Sequence, residues 1–147
     1  MNKIEEIQAE VIEEFNMFDD WMEKYEYIIE LGKTLPLIDN KHKIDNNLIK
    51  GCQSRVWLHA DMQNGKIIYS ADSDAIITKG IVAILIRVLS NQNAEEIAKA
   101  NLSFINKLGL KEQLSQTRAN GLVSMITGCF SFSTSIYSFF FTKSSWE

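Results

Sequence analysis

One thiol in this chain lies where nucleophilic chemistry is feasible. Cys52 sits in Gly51-Cys52-Gln53-Ser54-Arg55-Val56-Trp57, between one extended stretch and the next. A lone cysteine is ordinarily a small core hydrophobe, but its neighbours argue for more. Gly51 permits a sharp turn and close approach by another molecule. Gln53 and Ser54 suit a loop better than a strand. Arg55 is a nearby cation that favours thiolate, the nucleophilic form of sulfur. A thiol on an ordered loop is placed to attack another sulfur atom. His59 and His42 flank it at a distance in sequence, so a Cys–His pair stays open without being established. Cys52, His59 and Asp61 make a conceivable metal set, but their spacing matches no strong metal signature. No glycine-rich phosphate loop and no serine-hydrolase elbow occurs.

The rest of the composition narrows the setting. The chain has 147 residues, a net charge of −4, 46% apolar residues and 23% charged ones, which suits one globular domain. There is no concentrated basic face, so nucleic acid is not an expected partner. The longest aliphatic run, Ile81 to Ile86, is too short to span a bilayer, and Glu5 and Glu6 stand where a signal peptide would be apolar. Two cysteines, Cys52 and Cys129, are too few for a disulfide framework or a four-cysteine metal site. A reducing cytoplasm is the expected compartment. Charge is uneven: residues 1–30 hold ten acids against Lys3 and Lys24, a net of −8, and the remainder carries a net of +4. A solvated helix face accounts for that acidic end more readily than a partner site.

The elements that must position Cys52 follow from hydrophobic period. Ile4, Ile7, Val11, Ile12, Phe15 and Phe18 predict an amphipathic helix over 3–18. Asp19 or Asp20 offers an N-cap for a second helix containing Trp21, Tyr25, Ile28 and Ile29, closed by a left-handed Gly32 and by Pro36. Asn47 to Lys50 is a short extended candidate. Val56, Leu58, Ala60 and Met62 alternate with Trp57, His59 and Asp61, a strand with one buried face. Asn64-Gly65 predicts a type I′ hairpin into Lys66–Ala71. The expectation is a small three-stranded antiparallel sheet. Asp72-Ser73-Asp74 is expected to cap a helix from Ile76 to Leu89 that is apolar on nearly every side and therefore central. Asn93 with Glu96 resembles the capping box of a short helix, Ser103–Leu108 is another, and an amphipathic stretch begins near Ser115 and runs to Ile126. The fold class is α+β: three strands packed against several helices.

Residues 127–147 break this pattern. They hold seven of the fifteen aromatics, six serines and only two charges, with no helical stripe. A membrane-touching anchor, a strand added to the sheet edge and the product of an altered reading frame all compete; the last is favoured. The division is thus a domain over 1–126 and an atypical aromatic, serine-rich tail over 127–147.

At the Cys52 loop the chain resembles the SufE family, sulfur acceptor proteins that work with cysteine desulfurases in iron–sulfur cluster biogenesis. Similar blocks lie in order at Tyr27–Pro36, Asp72-Ser73-Asp74-Ala75, Lys79-Gly80 and Thr117–Leu122, covering about residues 5 to 126. The likeness stops at residue 127, where family members continue in a helix rich in Ala, Lys and Arg. It implies a fold akin to the scaffold proteins on which clusters are built. It implies that Cys52 accepts persulfide sulfur from a SufS-type desulfurase, stimulates that enzyme and passes sulfur to a downstream scaffold. Gly51, Gln53 and Ser54 would shape the loop, and Asp74 and Arg118 match positions near the loop or partner surface. No metal or cofactor is needed, since pyridoxal phosphate chemistry belongs to the partner. Cys129 matches nothing in the family. Three rivals on the same residues are an iron–sulfur scaffold, which would want more ligands than Cys52, a thiol redox protein using Cys129 as resolving partner, and a plain interaction module whose cysteine is inert.

Overall fold

The computed structural model describes residues 2–102, 104–110, 114 and 121–128. Helix α1 (Lys3–Asn16) opens with a full capping box between Asn2 and Glu5 and buries Ile4, Val11 and Phe15. Helix α2 (Trp21–Gly32) starts at Asp20, whose carboxylate accepts from the Glu23 N–H at 2.8 Å. Gly32 does not end α2 in the left-handed region. The helix runs through it to a right-handed Lys33 (φ −71°, ψ −18°).

The reason is packing. Helix α3 (Ile76–Leu89) crosses α2 there, and a Cβ on Gly32 would come within 3.0 Å of the Gly80 nitrogen. A Cβ on Gly80 would run into the Ile28 carbonyl oxygen. The two glycines let the backbones approach more closely than any side chain allows. As its composition predicts, α3 is central, with Ile77, Thr78 and most of Gly80–Leu89 buried.

Strands β1 (Val56–Gln63) and β2 (Lys66–Ser73) pair antiparallel in a register running from Val56 opposite Ser73 to Gln63 opposite Lys66. Asn64 (φ 51°) and Gly65 (φ 78°) supply the two positive φ angles of the expected turn. The third strand is not there: among the described residues the sheet has two strands. Asp45–Asn47 forms a 3-10 turn and Gly51 turns the chain again, so only Leu48 and Ile49 reach β1, through one bridge from Leu48 to Trp57. Too few residues lie between the turns for a ladder. On the other edge, Ala71 pairs similarly with Pro36 and Ile38.

The cap expected from Asp72-Ser73-Asp74 is also corrected. Strand β2 continues to Ser73, and the N-cap of α3 is Ala75, which makes no side-chain capping bond. Asp72 instead pairs with Lys43 (2.9 Å) and Lys79 (3.4 Å). Trp57, expected on an open face, is buried, and the Lys43 ammonium lies 4.7 Å from its ring centroid. Beyond α3 come α4 (Ala94–Lys99), capped by Asn93, and α5 (Phe104–Leu108), after which Gly109 takes φ 72°. A helical run over 121–128, here α6, is the described part of the predicted final amphipathic stretch. The aromatic tail from 129 onward, with Cys129, lies outside the described residues.

Candidate functional site

The Cys52 loop is built from both ends. At its base the Ile49 N–H donates to the Val56 carbonyl at 2.8 Å, closing residues 50–55 into a short excursion that returns to β1. Gly51 makes the turn at φ +92°, a conformation that L side chains rarely adopt, and a Cβ there would also strike the Ser124 hydroxyl of α6. Asp74 clasps the far end. Its carboxylate accepts from the Arg55 N–H at 3.1 Å, and its own N–H donates to the Arg55 carbonyl at 3.3 Å. Asp74 is thus brought to the loop, whereas Arg118 lies outside the described residues.

Cys52 itself is half-buried. Its Sγ–H donates to the Gly121 carbonyl of α6 at 3.5 Å. The thiol borders a pocket of about 90 Å³ lined by Gln53 and Ser54 from the loop, Thr78 and Ile81 from α3, and Gly121 and Met125 from α6. Burial pushes the thiol pKa up, and the Arg55 cation does not bring it down. The effect expected of Arg55 on the thiol is therefore outweighed by burial, and Cys52 is half-buried beside α6.

The histidines are elsewhere. His42 and His59 stack face to face, with centroids 3.7 Å apart and planes within 9°, and His59 Nε2 lies 3.1 Å from Asp61 Oδ1. No histidine lines the Cys52 pocket among the described residues. Nor do the described residues contain a group of three or more His, Cys, Asp or Glu able to hold a metal ion, which sets aside the Cys52–His59–Asp61 set. Sequence reasoning missed the pocket walls. Thr78, Ile81 and Met125 read as ordinary helix positions, and only Gly121 fell in a block already singled out.

Comparison with known proteins places the chain in a family. Residues 9–129 match the model of the SufE family, described as an Fe-S metabolism associated domain. The chain belongs to the SufE family. A SufE-like protein of Rhizobium meliloti is 41% identical over 122 residues, covering 80% of this chain and 87% of that one. A SufE-like protein of Synechocystis is 37% identical over 117 residues, covering 80% and 74%. A chloroplastic/mitochondrial SufE-like protein of Arabidopsis thaliana is 35% identical over 130 residues, covering 86% of this chain and 35% of its own length. The solution structure of a hypothetical protein from Thermus thermophilus shares the fold, with a TM-score of 0.75 at 17% identity over 90% of this chain and 96% of that one. Among the described residues of this SufE-family chain, no helix is long and apolar enough to cross a membrane.

Proposed function

We propose that this chain is a persulfide carrier: Cys52 accepts sulfur from a SufS-type cysteine desulfurase, stimulates its turnover and delivers the sulfur for iron–sulfur cluster assembly. The observation that carries this reading is the single thiol on a glycine-turned loop over a pocket larger than the thiol needs. Membership of a family named for Fe-S metabolism supports the pathway. The protein acts as an accessory in the cytoplasm rather than as an enzyme in its own right, with residues 1–126 as the working domain and 127–147 as an atypical aromatic, serine-rich stretch.

The step balances as a thiol–persulfide exchange. Cys52 gives up its proton to solvent, and the thiolate attacks the outer, sulfane sulfur of the donor's persulfide. A new S–S bond forms on Cys52 while the donor's S–S bond breaks, its electron pair leaving on the donor thiolate. Sulfur keeps its oxidation state, and no external oxidant or reductant is consumed. Gly51 lets the loop swing, Gln53 and Ser54 rim the pocket, and Asp74 anchors the hinge at Arg55.

The test mixes the protein with a purified cysteine desulfurase and cysteine. Peptide mass spectrometry is expected to find one added sulfur atom on Cys52, and desulfurase turnover is expected to rise. Equal stimulation by Cys52→Ser would reject the mechanism.

A further inference from the structure

A second hollow shares α6 with the thiol pocket. Gly121 and Met125 border the thiol, whereas Val123 and Gly128 of the same helix line a separate groove of about 340 Å³, faced by Leu48, Ile49, Lys50 and Leu58. Gly128 keeps that apolar wall uncovered: a Cβ there would lie 3.6 Å from Ile49 Cδ1 and 3.7 Å from Leu58 Cδ2. Val123 stays 50% exposed. An apolar side chain left in water beside an apolar hollow suits a contact surface better than a core.

Charge marks the same place. The Ile49–Val56 hydrogen bond closes the neck of the Cys52 loop, and the next residue on either side is a cation, Lys50 on one and Arg55 on the other. Like charges on facing strand ends repel. Both side chains are exposed, and among the described residues neither makes an ion pair, whereas Lys43, Lys79 and Arg87 are each held by a carboxylate. Asp74 does not neutralise the neck with an ion pair, since its carboxylate is spent on the Arg55 backbone N–H. Residues 50–55 carry no acid and a net of +2, in a chain of net −4 whose residues 1–30 carry −8.

We propose that this groove and the two cations form a docking face for the sulfur donor, taking a donor segment that sets an apolar side chain into the groove and carboxylates against Lys50 and Arg55. The inference rests on the acceptor reading, because a donor that brings its persulfide to Cys52 must lie over the loop neck. The acids of α1 and α2 repel the same segment, so the field turns the loop toward the donor. Lys50 and Arg55 set the rate of encounter, and the groove sets how long the complex lasts.

The experiment measures binding kinetics on an immobilised SufS-type cysteine desulfurase, with Cys52→Ser as the background so that no sulfur moves. Adding Lys50→Glu with Arg55→Glu is expected to slow association about tenfold in dilute salt, to leave dissociation within about twofold, and to lose most of its effect at about 0.5 M salt. Adding Val123→Glu instead is expected to speed dissociation about tenfold at both salt levels. Lys3→Glu with Lys66→Glu makes the same change in net charge around a different cavity and should slow association by no more than about twofold. Equal slowing by the two charge-reversed pairs, or none from the loop pair, overturns the proposal. Self-association of the chain alone that Val123→Glu abolishes overturns it in favour of a second copy. Sulfur gained by wild type from the desulfurase without this charge dependence removes the face and keeps the acceptor reading; charge-dependent binding with no sulfur gained keeps the face and sinks the acceptor reading.

Discussion

The central residue is a thiol held back rather than primed. Burial raises the Cys52 pKa, so the folded protein keeps that proton to higher pH than the unfolded chain does. The stabilising contribution is complete below the unfolded thiol's range and is lost as pH rises through the folded value. Alkylation by iodoacetamide should therefore be slow in the native protein near neutral pH, faster in the unfolded chain, and should climb steeply into the alkaline range. Stopped-time labelling with mass spectrometry checks this; equal native and unfolded rates at neutral pH would remove the sheltered thiol. Asp74 governs access from the side. Replacing it by Ala deletes the carboxylate that holds the Arg55 N–H, and is expected to cost about 1 kcal/mol and to speed Cys52 alkylation. Cys52 was legible in the sequence as a loop thiol, whereas Asp74 came from the family resemblance, and its bonds to Arg55 bring it to the loop. Thr78 was not legible, because nothing in Ile76-Ile77-Thr78-Lys79 says that this position lines a pocket shared with a loop over twenty residues away.

Among the elements, the α2–α3 crossing sets where the first turn of α3 can lie, and with it one wall of the pocket. Gly80→Ala forces a methyl group into the Ile28 carbonyl, and the helices must separate. We expect a loss of about 1–3 kcal/mol in urea denaturation, the usual range for overpacking, together with a faster-reacting Cys52. Gly121→Ala is the matched control: its new Cβ would lie 3.5 Å from Cys52 Sγ, an ordinary contact, and stability should change little. The hairpin's turn and pairing were readable, since Asn64-Gly65 and alternating apolar residues specify them locally, although β2 runs two residues past its expected end at Ala71. The third strand was misread for the converse reason. Extended-prone residues at Leu48 and Ile49 cannot form a ladder when turns on both sides consume the chain.

For the whole molecule, two polar clusters tie the layers together. Arg87 of α3 pairs with Glu14 of α1 and lies 3.7 Å from Glu10, and the Tyr27 hydroxyl of α2 shares in the cluster. Asp72 joins the Lys43 segment to α3 through Lys79. Burial pushes the Asp72 carboxyl up, but the Lys43 hydrogen bond, the Ser73 N–H and the two ammonium charges outweigh it and hold the pKa below its usual value. That contribution is present above the unfolded carboxylate range and is lost as pH falls through the lowered folded value. Asp72→Asn should therefore be less stable near neutral pH, and its melting temperature should fall less than wild type's between about pH 5 and about pH 3. A parallel decline in both proteins would show that Asp72 is not a source of acid sensitivity.

By itself the amino-acid order determined the helices, the hairpin, the central place of α3 and the loop that carries the thiol. Each of these is written in a period, a cap or a turn within a dozen or so residues, where short-range sterics and hydrophobic patterning decide. Only the tertiary structure decided that Gly32 and Gly80 are contact points, that the histidines stack on each other away from sulfur, and that α3 and α6 wall in Cys52. Those outcomes depend on which surfaces meet across long stretches of chain, and burial there pushes the Cys52 pKa up where the nearby arginine alone would push it down.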